Sequence, residues 1–356
     1  VYKIDNIKGK CAVRGGSFLG GGGGGSENEG IRTLEEALKF GDIIVKGIDE
    51  FEDDDIIVTA SAVGSPASKE GYVSVEQVVD NFNLFKMLYG KEIKGIITNE
   101  NGGHSTTNGW ILSAATGIPL VDAPCNGRAH PTGVMGSMGL ESRKDYLTVQ
   151  TAAGGKDEKA IATYVKGKMD SAAKMVRQTA VEAGGLVTVL RNPVEADYVK
   201  KNAAIGSLAM AVEIGEIFEE YDDCKGITDK LNERYNLETI AYGKVIDCSL
   251  TIEGGFDHGH VTIGDGNDEF KVTFWNEFMT IDKEGVRLAT FPDLIGLIDS
   301  KTTEILTSAT VKEGDEVCLY RIPKENLILG SGMKNREQLR LVEKVLNTEI
   351  VKFIEE

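Results

Sequence analysis

The sequence predicts an α/β N-terminal domain followed by a β-rich (α+β) C-terminal domain. Three observations predict it. Apolar strand-like runs alternate with amphipathic helical stretches up to about residue 150. After Thr239 the texture changes to alternating strands with short turns between them. The length, 356 residues, is more than one hydrophobic core usually serves. The boundary is expected near residue 168, giving domains 1–168 and 169–356.

Ile4, Ile7, Cys11 and Phe18 recur at roughly helical intervals, so a short helix is expected before the glycine run Gly20–Gly25. IRTLEEALKFG carries a stripe of Ile31, Leu34, Ala37 and Leu38 and is expected to end at Gly41. DIIV and IIVTASAV read as strands. SVEQVVDNFNLFKMLYG reads as an amphipathic helix capped by Ser74. IKGIITNE and PLVDA read as strands flanking a helix in TNGWILSAATG. From Asp157 to Gly184 the pattern is helical, LVTVLR is a strand, and a helix covers about 203–221. KVIDCSLTI, HVTIG, EFKVTFW and EVCLYRI are strands separated by GG, DGND and KEG turns. No internal repeat is present.

The formal net charge is −17, which argues against nucleic acid and anionic membrane partners. The most apolar stretch, Trp110–Val121, is too short to span a bilayer, and VYKIDNIKGK does not read as a signal peptide. The five cysteines, Cys11, Cys125, Cys224, Cys248 and Cys318, include no close pair, so a reducing, cytoplasmic setting is expected. A homo-oligomer is compatible with the sequence.

The strands IKGIITNE and PLVDA run into two polar loops, NGGHSTTNG and PCNGRAHPTG. Ligands collect beyond the carboxyl ends of strands in open α/β sheets, so both loops are expected to face one crevice. They carry Glu100, Asn101, His104, Asp122, Cys125, Asn126, Arg128 and His130. Of four histidines in the chain, two lie here. His104 and His130 are candidate proton carriers or zinc ligands, and surface residues on the bland reading. Cys125, on a turn beside Arg128, is a candidate thiolate, whereas the other cysteines read as packing residues.

The remaining histidines occur in GGFDHGHVTIG. On a strand, His258, His260 and Thr262 share one face, with Val261 and Ile263 toward the core. The pair either holds a metal, with a third ligand from the first domain, or is a solvated hairpin face. The glycine run lacks the Lys-Ser/Thr ending of a phosphate-binding loop and follows no clear strand, so no nucleotide is expected. A helix starts soon after it, and close backbone approach to a small polar substrate is favoured over a linker, with Gly21, Gly22, Gly23 and Gly24 as contacts.

GGGGG, ENGG, VDAPCNGRAHP, GGFDHG, WNEFM and FPDLIGLID form an ordered series along nearly the whole chain. This series resembles the S-methyl thiohydantoin desulfurase-like family, long catalogued as a domain of unknown function. The resemblance implies two domains and hydrolytic chemistry on a hydantoin-like ring. In the named activity, water displaces a methylthio group from a 2-thiohydantoin derivative, giving a hydantoin and methanethiol. Substrates of that kind arise in the breakdown of sulfur-containing histidine derivatives such as ergothioneine. The sequence departs from the usual Asp-Ala-Asp-Gly-x-Gly-Arg-Ala-Phe-Pro pattern. Asp122 and Arg128 match, Pro124 replaces the second acid, and Cys125 and His130 are additions. The usual Glu-x-Gly-Gly-x-Asn becomes Glu100-Asn101-Gly102-Gly103-His104-Ser105.

On this reading Cys125 is a nucleophile or metal thiolate, His104 and His130 act as base and acid, and Asp122 orients a histidine or the loop. Glu100, Asn101, Arg128 and the glycine backbone hold the substrate, and Glu277 binds a ring N–H or is a structural carboxylate. His258 and His260 complete the site, with zinc as the expected metal. Zinc hydroxide and cysteine attack remain open. The alternatives are ring-amide hydrolysis of a hydantoin or oxoproline, and small-molecule binding without catalysis.

Overall fold

A computed structural model of the chain describes residues 1–64, 70–253 and 256–354. The turn expected at Gly254–Gly255 lies outside the described residues. The N-terminal layer contains β1 (Tyr2–Ile4), α1 (Asn6–Gly20), α2 (Glu27–Phe40), β2 (Ile43–Lys46), β3 (Ile56–Gly64), α3 (Val75–Tyr89), β4 (Gly95–Thr98), α4 (Trp110–Thr116) and β5 (Leu120–Val121). It continues through β6 (Thr148–Gly154), β7 (Ile161–Gly167), α5 (Met169–Glu182) and β8 (Leu186–Glu195). These strands form one sheet in the order β1-β2-β5-β4-β3-β8-β6-β7. The β2-β5-β4-β3 centre is parallel, and β1, β8 and β6–β7 add antiparallel strands.

Local chemistry sets the helix ends. Ser26 Oγ accepts from Glu29 N at α2, and Ser74 and Gln77 form a reciprocal capping box at α3. Gly41 ends α2 in an extended conformation; a Cβ there would lie 2.6 Å from Ala114 O. The segment expected to be helical from Asp157 becomes helix only at Met169. Ile161, Thr163 and Val165 favour a pleated strand, and β7 pairs with β6 instead.

The first sheet also crosses the boundary expected at residue 168. Val187, Val189, Leu190 and Val194 are buried, so β8 finds its place between β3 and β6 and not at an edge.

Beyond β8 come α6 (Ala196–Asn202), α7 (Ser207–Glu220) and α8 (Cys224–Tyr235). A second sheet then follows: β9 (Glu238–Glu253), β10 (Phe256–Gly264), β11 (Glu269–Trp275), β12 (Glu277–Lys283), β13 (Val286–Thr290), β14 (Leu294–Asp299), β15 (Ile305–Leu306) and β16 (Glu316–Ile322). Its order is β13-β12-β11-β10-β9-β16-β14-β15, and every pairing is antiparallel. Phe270, Val272 and Phe274 alternate into its core. Helices α9 (Arg336–Leu346) and α10 (Val351–Ile354) close the chain.

The two halves are joined by α1 and α7. A Cβ on Gly15 would lie 1.8 Å from Ala211 O, and one on Gly215 would lie 1.9 Å from Cys11 O. Only glycine permits that approach. At the same end of α1, Phe18 stacks on Tyr320 of β16 at 4.8 Å. Phe18 is wholly buried there, worth about 1.5–3 kcal/mol. This places the end of α1, and the glycines after it, between the two sheets.

Candidate active site

A cavity of about 1010 Å³ opens between the halves. Gly22–Gly25 form part of its wall. Gly21 caps α1 in the left-handed region, with φ 56°, and its N–H donates to Phe18 O at 3.2 Å. The carbonyls of the run are committed to both halves. Gly21 O accepts from Phe278 N (2.7 Å), Gly22 O from Ser308 N (3.1 Å), and Gly24 O from His104 N and Ser105 N (3.0 Å each). The N–H groups of Gly24 and Gly25 donate to no acceptor among the described residues. The run is therefore a fixed strut with spare donors in a cavity wall, not a linker.

Ile96 of β4 pairs with Leu120 of β5, so the loops after these strands lie side by side, as expected from the sequence. Cys125 N donates to Thr98 O (2.9 Å) and Asn126 N to Asn99 O (3.1 Å). This zipper brings His130 to Glu100, and both residues line the cavity. His130 Nε2 lies 3.1 Å from Glu100 Oε2. His130 Nδ1 is 2.8 Å from Thr132 O. A carbonyl only accepts, so Nδ1 carries the proton and Nε2 presents its lone pair when the ring is neutral. Burial, with Arg191 adding positive charge nearby, pulls the His130 pKa down to about 4. Burial pushes Glu100 up to about 7. Nε2 makes no aligned hydrogen bond, although it lies 3.1 Å from Glu100 Oε2.

Glu277 enters from the other half. Asn276 sits in the left-handed region (φ 58°) between β11 and β12, and its Oδ1 accepts from Asp257 N at 2.9 Å. That turn sets Glu277 against the glycines, 2% exposed and with Oε2 unpaired. Burial, reinforced by the charge of Glu100, holds its carboxyl protonated well above the usual range.

Other expected site residues lie elsewhere. Cys125 is fully buried among Ile97, Ala123, Met138 and Val199, and its Sγ lies 3.4 Å from Thr59 Oγ1. Burial raises its thiol to about 11, which removes the thiolate that nucleophilic attack requires. Its turn belongs to the floor beneath the cavity, because its N–H is spent on β4. Asp122 accepts from Leu208 N (2.9 Å) and Ala209 N (3.2 Å), capping α7 from a distant strand; it orients no histidine. Asn101 donates to Gly127 O and Ser207 O and ties loops together. His104 lies under Gly25 and 3.9 Å from Glu29, outside the cavity wall.

Arg128 is wholly buried. Its Nη1 donates to Pro292 O and Asp293 O across the two halves, and its guanidinium covers Phe291 at 4.7 Å. Burial lowers its pKa to about 10. It braces the site from behind rather than lining it.

His258 and His260 do share a face of β10, with Val261 and Ile263 buried on the other. His260 Nε2 pairs with Asp247 at 2.7 Å on the outer side of the hairpin. Cys125, in the floor of the first half, supplies no third ligand there. Among the described residues no group of three His, Cys, Asp or Glu side chains comes close enough to hold a metal. The donor set therefore does not fit the zinc site expected from the sequence.

The sequence reading missed Arg191, on β8 in the cavity wall. Its signal was Arg-Asn-Pro interrupting an otherwise apolar strand. A second hollow, of about 570 Å³ beneath α9 and α10, is lined largely by Leu327, Leu329, Met333 and Leu339 and offers no comparable acid–base pair.

Family models of the S-Me-THD-like N-terminal domain and the S-Me-THD-like C-terminal domain match residues 10–164 and 167–332. A comparison with curated proteins finds no match. Among solved structures, the chain is similar to the X-ray structure of a protein from Chromobacterium violaceum, with 17% identity and a TM-score of 0.74 over 98% of this chain and 97% of that one. At that identity the likeness shows the fold alone. Among the described residues, no helix is long and apolar enough to cross a membrane.

Proposed function

Because this chain belongs to the S-Me-THD-like family, we propose that its interdomain cavity catalyses hydrolysis at the sulfur-bearing carbon of a hydantoin-like ring, releasing methanethiol from an S-methyl 2-thiohydantoin derivative and leaving the ring closed. The observation that supports this reading is the Glu100–His130 pair facing the glycine wall, with Glu277 supplied by the other half. The pair is the base and Glu277 the acid, because their surroundings separate their proton affinities.

With the pair deprotonated, it takes a proton from water as the oxygen bonds to the ring carbon bearing sulfur. The electron pair of the ring C=N bond moves onto nitrogen and spreads into the adjacent carbonyl. That nitrogen then re-forms the double bond as the C–S bond breaks. Sulfur leaves with its electron pair and takes the Glu277 proton, giving methanethiol. The remaining iminol tautomerises to the hydantoin. The glycine N–H groups hold a ring oxygen in place.

The test incubates the protein with an S-methyl 2-thiohydantoin and measures free thiol alongside ring opening. Thiol release that is lost in Glu100→Gln and Glu277→Gln supports the reading. Ring opening without thiol would assign the site to ring-amide hydrolysis. Stoichiometric binding without either product would make it a binding protein.

A further inference from the structure

Arg191 is only 6% exposed, yet its guanidinium makes no hydrogen bond or ion pair among the described residues. Its Nε is shut off from solvent without an acceptor. A buried cation in that condition is strongly unfavourable unless something else supplies the acceptor. Arg128, wholly buried, differs in degree: backbone carbonyls take its Nε and Nη1 and an aromatic face covers it, with Nη2 left unpartnered.

The backbone is built to place Arg191. Ile57 pairs with Val194 and Thr59 with Arg191, so Asn192 and Pro193 together oppose Val58 in a bulge. Asn192 takes the left-handed region, with φ 55°. Gly133 leaves room beside the guanidinium: a Cβ there would lie 3.3 Å from Nη1. Two other groups of the same cavity, His130 Nε2 and Glu277 Oε2, are also buried without partners. A ligand that presents an acceptor edge to the guanidinium and a polar edge to the carboxyl serves Arg191 and Glu277, and the edge of a ring carrying N=C–S and C=O does so.

We infer that Arg191 is a catalytic residue that binds the ring nitrogen and carbonyl oxygen where negative charge collects as water adds. This rests on the hydrolase reading above. The charge it meets is the electron pair released from the ring C=N bond. Its fork spans the adjacent nitrogen and oxygen, and the same contact holds the ring as the C–S bond breaks.

Arg191→Met and Arg191→Lys are tested by methanethiol release, with melting temperature as the check on folding. Arg191→Met is expected to lose on the order of a hundredfold in kcat and to raise KM, because the same contact holds the ring before water adds. Millimolar guanidinium should restore part of that loss, and Arg191→Lys should stay well below wild type because an ammonium cannot span two atoms. A folded Arg191→Met enzyme within about threefold of wild-type kcat would overturn the inference while leaving the hydrolase reading intact. If Arg191→Met does not fold, Gly133→Ala, which shifts Nη1 by a few tenths of an ångström, must lower kcat, and unchanged kcat there overturns it. If wild type turns over no ring, calorimetry with the S-methyl 2-thiohydantoin, whose ring C=N nitrogen and carbonyl oxygen both accept, decides. Binding by wild type that is lost in Arg191→Lys supports the contact. Equal binding by both, or none by wild type, overturns it.

Discussion

Glu277 Oε1 occupies the space that a side chain on Gly23 would need: a Cβ built on Gly23 falls 2.1 Å from that oxygen. One residue ends helix-borne chain from the first half, and the other begins a strand of the second. Gly23→Ala must therefore push the Glu277 carboxyl out of its place in the cavity wall. Turnover should fall on the order of a hundredfold, the usual cost of a misplaced catalytic group. Gly90→Ala is the control, because a Cβ there meets nothing within 4 Å although its φ of 76° is strained. It should cost stability and not turnover. Steady-state kinetics and thermal melts on both variants check the pair of outcomes.

Glu100 and His130 predict the pH dependence. The active pair has lost its proton, so kcat/KM should rise through about pH 7, where Glu100 ionises. For stability the two groups oppose each other. Glu100 is raised from 4.5, so its contribution is full below that value and is lost as pH rises through about 7. His130 is lowered from 6.5, so its contribution is full above that value and is lost as pH falls through about 4. In wild type the two slopes offset each other between these limits. Glu100→Gln should expose the His130 slope, with melting temperature climbing more steeply from pH 4 to 6.5 than in wild type. An unaltered profile would place the proton elsewhere.

Cys125→Ser should keep nearly full turnover. The thiol touches Thr59 in an apolar floor, so the cost is that of burying a more polar group, about 1–3 kcal/mol in stability. A large loss of kcat in a variant that melts like wild type would return Cys125 to the chemistry.

Asp122→Ala should remove the oxygen that caps α7. The expected loss is about 1 kcal/mol, and Asp122→Asn should lose less because it retains an acceptor. Both should leave KM and kcat near wild type. Denaturant unfolding measures the first effect and steady-state kinetics the second.

His260→Ala should leave turnover unchanged. The side chain pairs with Asp247 on the hairpin's outer side, and such partly exposed pairs contribute about 0–1 kcal/mol. Loss of activity on this change, together with zinc bound per chain, would restore the metal reading.

The helices with strong caps and stripes, α2 and α3, were legible in sequence because their signals are local. So was the meeting of the two polar loops, which follows from neighbouring parallel strands. Strand β6 was not legible. Its TVQTAAG is buried throughout and rich in small residues, so it shows no alternation. The surroundings of Cys125 and Asp122 are not legible in sequence, because a polar or turn-like residue looks alike whether it faces a ligand or a helix end. Only the backbone bonds of Cys125 and the distant N–H groups of α7 separate the cases. Arg191 shows in sequence only as Arg-Asn-Pro breaking an apolar strand; its missing partner exists only in three dimensions.

The place of β8 also dictates an order of assembly during synthesis. The hairpin of β6 and β7 joins its sheet only through β8, and the glycine strut is gripped from the second half by Phe278 and Ser308. A ribosome releasing the chain from its first residue therefore leaves β6 and β7 waiting until residue 195 has emerged. The early product cannot complete its own sheet, however long translation pauses at the seam near residue 166. Splitting a gene at that seam and making the pieces separately should yield an N-terminal fragment that aggregates, and co-expression should rescue it by supplying β8.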